Sequence, residues 1–216
     1  MSVFASVPDM ARRRNVLTLL GATGWLGLPV LARAGAQIEE PLADAVRNAL
    51  SAAISSGQPP EPVFADTESR LHYLRWKVEM NTRLVARNAD LKTLQHRDEF
   101  LQTLWYECKR ARLDAALVLG LIQVESNFRQ FAVSGAGARG YMQVMPFWAR
   151  SIGDGDANSL FQMKLNLRFG CVILRHYLHL ERSDLFMALG RYNGSRGKPA
   201  YPNAVQDARR RWEFGA

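Results

Sequence analysis

Glu125 closes an apolar segment, Leu113-Asp114-Ala115-Ala116-Leu117-Val118-Leu119-Gly120-Leu121-Ile122-Gln123-Val124, and is followed by Ser126. Leu117, Leu121 and Val124 recur at i, i+4 and i+7, and Val118, Ile122 and Glu125 repeat the spacing, which predicts a helix with Glu125 in line with buried residues. Asp114 is placed to cap its start. Desolvation and the negative end of the helix dipole both disfavour an ionised carboxyl at that point. A carboxyl kept protonated near neutral pH is a usable general acid. The bland alternative is a solvated glutamate at a frayed helix end. A loop of small residues follows, with Gly135, Gly137 and Gly140 free to bend the backbone toward a ligand. After Glu125 the next carboxylate is Asp154, so no second acid is supplied where the loop is built.

Four blocks occur in order: Glu125-Ser126; Ala132-Val133-Ser134 with Gly137-Ala138; Gly140-Tyr141-Met142-Gln143-Val144-Met145-Pro146; and Arg191-Tyr192-Asn193-Gly194. Over about residues 100 to 196 this set resembles the soluble lytic transglycosylase family, the SLT domain with a goose-lysozyme-like fold. Tyr141 stands where that family usually has Leu, Arg191 where a small residue is common, and Gly194-Ser195 where Ala-Gly is usual. The resemblance implies cleavage of the β-1,4 bond between N-acetylmuramic acid and N-acetylglucosamine in peptidoglycan, with Glu125 as catalytic acid and then base and a 1,6-anhydro end as product. It implies substrate-binding roles for Ser134, Gln143, Met145, Tyr192 and Asn193. Ser134 is expected either to hydrogen-bond the glutamate or an N-acetyl group, or to serve as a turn residue. Gln143 offers donors and an acceptor to sugar amides and hydroxyls. Met145 lines the cleft or the core, the Tyr192 hydroxyl lies near the sugar or the glutamate, and Asn193 fixes loop backbone. No cofactor or metal is implied. The alternatives are a water-using muramidase of the same fold and a non-catalytic wall-binding or assembly subunit.

The elements around the site read as all-α, because no period-two alternation of useful length occurs. Residues 40–56 form an Ala-rich helix, and residues 57–62, rich in Pro, form a linker. A long helix is predicted from Thr67, as its cap, to Asn88, with Leu71, Leu74, Val78 and Val85 as the apolar face. Tyr73 and Trp76 on it are core residues or sugar-stacking platforms. A further helix spans Leu91 to Arg112, with Phe100, Leu101, Leu104 and Trp105 inward. Later helices are predicted for Phe147–Ile152, for Asn166–Leu180 with Leu167, Cys171, Leu174 and Leu178 on one face, and up to Tyr192 with Ser183 as cap. A loop over residues 197–202 leads to a last helix with Pro202 in its first turn. The domain reading is a signal peptide over 1–36, a helical extension over 37–95 and a lytic-transglycosylase-like domain over 96–216.

The chain has 216 residues, 48% hydrophobic and 22% charged, with a net charge of +8. That composition is globular. Arg12-Arg13-Arg14 precedes an uncharged run from Val16 to Ala32, and small residues at Ala32, Ala34 and Ala36 offer cleavage sites, so export to the periplasm is expected, with Arg13-Arg14 resembling a twin-arginine signal. Removing residues 1–36 takes four Arg and one Asp from 28 basic and 20 acidic residues, leaving 24 and 19, or +5. That suits an anionic wall polymer, and a cell-envelope or secretion assembly is a further expected partner; without aromatic–basic alternation, nucleic acid is not. A monomer is expected. Cys108 and Cys171 either bridge in an oxidising compartment or serve as small core residues. Asp154, Asp156 and Asn158 match the first positions of a calcium loop, but Ser159 and Leu165 replace its required Gly and Glu, which makes a polar turn the better reading. His176 and His179 read as helix-surface residues, and Arg209-Arg210-Arg211 as a basic helix face or a holder of polymer carboxylates.

Overall fold

The buried helix that ends on Glu125 sets the architecture of the computed structural model, which describes residues 37–55, 62–87 and 91–215. The export segment and its cleavage sites lie outside the described residues, as do residue 56 of the predicted Ala-rich helix and residues 57–61 of the linker. Eight α-helices are present among the described residues: α1 Asp44–Ser55, α2 Thr67–Val85, α3 Leu94–Ala111, α4 Ala115–Glu125, α5 Pro146–Ile152, α6 Met163–Leu180, α7 Leu185–Asn193 and α8 Ala200–Arg209. A short 3-10 helix, Ala157–Phe161, links α5 to α6. The extended pairing among them is limited to isolated bridges of Arg139 with Val133 and Val144.

α4 is apolar nearly all round, because it is enclosed by other helices. Its start is capped by Asp114, whose side chain accepts from the Ala116 N–H. It packs lengthwise on α8, and the approach is close enough to need Gly120. A Cβ there would sit 2.6 Å from the backbone nitrogen of Arg209 and 3.0 Å from the Val205 carbonyl oxygen. α3 lies on α6, α6 on α7, and α2 on α3. α1 leans on α5 and α6. In its last turn Arg110 donates to the Ala53 carbonyl at 2.7 Å and Arg168 to the Ile54 carbonyl at 3.2 Å. Both arginines also pair with Glu107, a carboxylate sunk between α3 and α6. A carboxylate so buried is tolerated because it is paired and hydrogen-bonded.

Several local expectations are corrected. Asp66, not Thr67, caps α2, and Asp184, not Ser183, caps α7, since each aspartate reaches the N–H three residues on. α2 ends at Val85 and α3 begins at Leu94 after a Thr93 cap. The line Leu71, Leu74, Val78 and Val85 faces outward, and the buried line is Tyr73, Trp76, Met80 and Leu84. The aromatic face wins because Tyr73 and Trp76 stack with each other and pack against Trp105, with ring centroids 5.1 and 4.7 Å away. Trp105 is only partly buried, and its ring carries the Lys109 ammonium. The predicted loop over residues 197–202 already holds the start of α8, with Pro202 in its first turn. Cys108 and Cys171 are free and buried side by side, and burial, reinforced by the neighbouring sulfur, pushes the Cys108 thiol well above its ordinary value. Asp154 and Asp156 spend a side-chain oxygen each on nearby backbone N–H groups, making the residue 154–158 stretch a polar turn. Arg209 pairs with Asp114 and Arg210 with Asp207.

Gly120→Ala is the sharpest test of this packing. In an open helix the change stabilises by about 1 kcal/mol. Here the added methyl meets α8 backbone, and overpacking of this kind costs about 1–3 kcal/mol. Urea denaturation is expected to show a net loss of stability; a gain would contradict the observed closeness of the two helices.

Candidate active site

The chain leaves α4 abruptly. Ser126 caps the helix, and Asn127 and Phe128 both take left-handed backbone angles, φ 48° and 62°. Such angles are costly for a bulky residue. Phe128 is held there by full burial between Phe100 and Trp212. The turn leaves the Glu125 side chain 5% exposed at the end of the helix.

One oxygen of that carboxyl, Oε1, accepts a hydrogen bond of 2.5 Å from the Tyr201 hydroxyl on α8. The other, Oε2, is buried and has no hydrogen-bond partner among the described residues. Burial raises the Glu125 pKa to about 8, against which the Tyr201 hydrogen bond pulls down. Tyr201 itself is pushed well above the ordinary tyrosine value, first by burial and then by the glutamate, so it is a fixed donor. With Tyr201 donating to Oε1, the proton of the neutral acid belongs on Oε2. Such an arrangement can present a proton from one defined oxygen, Oε2.

The loop after Glu125 is bound to the helices at several points. Ser126 Oγ donates to the Tyr141 carbonyl at 2.7 Å. Asn166, fully buried on α6, accepts from the Met142 N–H and donates to the carbonyls of Arg139 and Leu160. Its amide lies so close to Gly140, φ 76°, that a Cβ on that residue would fall 2.3 Å from Nδ2. Tyr192, buried on α7, donates its hydroxyl to the Met142 carbonyl at 2.8 Å.

The six residues singled out by sequence are distributed as follows. Glu125 is the carboxyl just described. Ser134 closes its own turn, its Oγ accepting from the N–H groups of Ala136 and Ala138. Gln143 is buried at φ 49° and donates its amide to the carbonyls of Ala132 and Gly140, which holds the loop shut. Met145 is half-buried and precedes the first residue of α5. Tyr192 is tied to loop backbone. Asn193 ends α7, donates to Ser195 Oγ at 3.0 Å, and has its own buried Oδ1 without a partner among the described residues. Glu125 and the loop residue Gln143 are thus joined through Ser126, Tyr141 and Tyr192. Two contributors escaped the sequence reading. Tyr201 lies in what looked like a loop, although its Tyr-Pro setting at a helix start was a signal; Asn166 gave none, being one polar residue inside an apolar helix pattern.

Residues 105–214, just over half of the chain, match the family described as Transglycosylase SLT domain. A transglycosylase of Enterobacteria phage PRD1 is 35% identical over 97 residues, which make up 44% of this chain. The match spans about a third of that protein, 35% of its length.

The elevated Glu125 pKa has a consequence for stability. The folded group holds its proton up to about 8, whereas unfolded glutamate releases it near 4.5. Between these values the native state binds more protons than the unfolded state, so stability falls as pH rises, and it levels off above about 8. The cost to the wild type is on the order of 3 kcal/mol at pH 7. Glu125→Gln, which does not ionise, is expected to gain on the wild type as pH rises from about 4.5 to about 8 in denaturation experiments. A constant difference across that range would show that Glu125 ionises normally. Given the match and the all-α, lysozyme-like arrangement around a buried glutamate, the chain belongs to the SLT transglycosylase domain family.

Proposed function

We propose that this protein is a peptidoglycan lytic transglycosylase that cleaves the β-1,4 bond between N-acetylmuramic acid and N-acetylglucosamine and leaves a 1,6-anhydromuramic end. The observation that carries this reading is the buried Glu125 carboxyl, raised to about 8, with one oxygen held by Tyr201 and the other without a hydrogen-bond partner among the described residues. Family membership and the name of the phage relative point the same way.

In this reading Glu125 Oε2 gives its proton to the glycosidic oxygen as the bond to the muramic C1 breaks. The N-acetyl carbonyl of the same sugar supports the positive carbon, in the place of a second carboxylate. Neither influence on the Glu125 pKa, burial or the tyrosine, comes from a second acid. Glu125, now ionised, takes the proton of the 6-hydroxyl, whose oxygen closes onto C1; no water is consumed. Tyr201 steadies the carboxylate in that second half by donating to Oε1. Gln143 and Tyr192 act by fixing the loop that faces the sugar, and Ser134 by shaping its turn. Met145 and Asn193 border the cleft, where the spare Asn193 Oδ1 is an acceptor for a sugar amide or hydroxyl. The domain plan is an exported chain with a leader over 1–36, an extension over 37–95 and the catalytic unit over 96–216. It works as a monomer on glycan strands in the periplasm, in the service of wall turnover or of an envelope assembly. Among the described residues no helix is long and apolar enough to cross a membrane.

Mass spectrometry of digested sacculi tests the chemistry. Anhydromuropeptides, lighter by one water than hydrolysis products, are expected, with activity falling as pH rises through about 8. Reducing-end muropeptides as the main product would instead identify a water-using muramidase. Loss of general acid–base help costs about 10²–10⁴-fold for each role, so Glu125→Gln is expected to reach background with the fold intact. Near-normal activity in that variant would show that Glu125 is not the catalytic acid, and no activity in the wild type would leave a wall-binding subunit.

A further inference from the structure

Gln37 stands ahead of α1, in a stretch of residues 37–43 that forms no helix, and it is buried. Its Oε1 accepts from the Trp148 Nε1–H on α5 at 2.8 Å. The same stretch is tied to α7 by Glu40, which pairs with Arg191, next to Tyr192 in the chain. Gln37 lies outside residues 105–214, the part matched by the family.

The partner fixes which way the amide points. An indole N–H only donates, so the amide oxygen must face Trp148 and the amide nitrogen the other way. That nitrogen, Nε2, is buried and has no hydrogen-bond partner among the described residues. A buried donor left unpaired costs about 1–3 kcal/mol, and such groups nearly always find an acceptor. The group on which Gln37 acts is the Tyr192 hydroxyl. Burial and the Glu125 charge push that hydroxyl well above its ordinary value, and Gln37 pulls the other way, as a donor aimed at the oxygen does. Tyr192 gives its own proton to the Met142 carbonyl at 2.8 Å, so its oxygen is left as an acceptor.

We infer that Gln37 is a positioning residue for the loop that follows Glu125: its amide donates to the Tyr192 hydroxyl and completes a run of hydrogen bonds from Trp148 through Gln37 and Tyr192 to the Met142 carbonyl. Each bond in such a run polarises the next. The run ties α5 and α7 to the loop through a residue that belongs to none of them. Gln37 touches no substrate and acts through Tyr192. Satisfying the Trp148 N–H alone would need an acceptor and no donor beside a tyrosine. The inference deepens the transglycosylase reading and rests on it for its kinetic test.

Two measurements test it, the first independent of activity. In isotope-labelled protein, Tyr192→Phe keeps the ring and removes the hydroxyl, and it is expected to move the NMR signals of the Gln37 side-chain amide. Amide signals indifferent to Tyr192→Phe would overturn the inference. On soluble glycan strands, Gln37→Met keeps the side-chain length and is expected to lower kcat about 10-fold with KM nearly unchanged. Made together with Tyr192→Phe, the same change is expected to cost less than ~2-fold more, since both act through one hydroxyl. Glu40→Gln loosens the other, partly exposed anchor and is expected to keep kcat within ~2-fold. No loss in Gln37→Met, a full further loss beside Tyr192→Phe, or an equal loss in Glu40→Gln would overturn the inference and leave Gln37 as packing. A wild type that releases no muropeptides would overturn the transglycosylase reading instead, with the amide signals still deciding this one.

Discussion

The close approach of α8 to α4 is the constraint on which the rest depends. A glycine at position 120 lets the backbones nearly touch, and the same contact brings the Tyr201 hydroxyl onto Glu125 Oε1. Without that bond a buried glutamate would have two unsatisfied oxygens. With it, one oxygen is fixed and the other is left as the donor. Stability is given up for this: a carboxyl that resists ionisation is a burden on the fold at neutral pH. The surrounding apolar packing, including the buried Phe128 that enforces the left-handed turn, carries that burden.

A second layer of contacts shapes the loop that follows the acid in sequence. Ser126, Asn166, Tyr192 and Gln143 all end on backbone groups between Ala132 and Met142. They come from the end of α4, from α6, from α7 and from the loop itself. The loop therefore moves only if several helices move. Such preorganisation is what electrostatic and acid–base catalysis require, since a donor misplaced by about an ångström loses much of its effect. The ion pairs of Glu181 with Arg191 and Arg196 join the end of α6 to α7 and to the segment that leads into α8, and they hold the Glu181 carboxyl down to about 2. Arg191, at odds with the family's usual small residue, thus has a structural use next to Tyr192.

The helical class, the buried helix and its terminal glutamate were legible in the sequence because they rest on local periodicity. The ordered blocks located the loop as well. What periodicity cannot show is which of two competing faces wins burial. On α2 the aliphatic line looked like the core, yet three aromatic rings packing together bury more area than four small aliphatics. Long-range partners were equally hidden. Tyr201 and Asn166 lie 76 and 24 residues from the groups they serve, and nothing local in either stretch announces a partner that distant. Cap residues were misplaced by one position, because Asp66-Thr67 and Ser183-Asp184 each offer two good caps and only the backbone geometry chooses.

The most direct measurement is a carboxyl-carbon NMR titration of Glu125 in protein labelled at glutamate, in the wild type and in Tyr201→Phe. A midpoint near 8 is expected for the wild type. A higher one is expected once the tyrosine donor, which favours the ionised form, is removed. A midpoint near 4.5, the ordinary glutamate value, or one indifferent to Tyr201, would contradict the view that this carboxyl is an acid held ready by burial and oriented by α8.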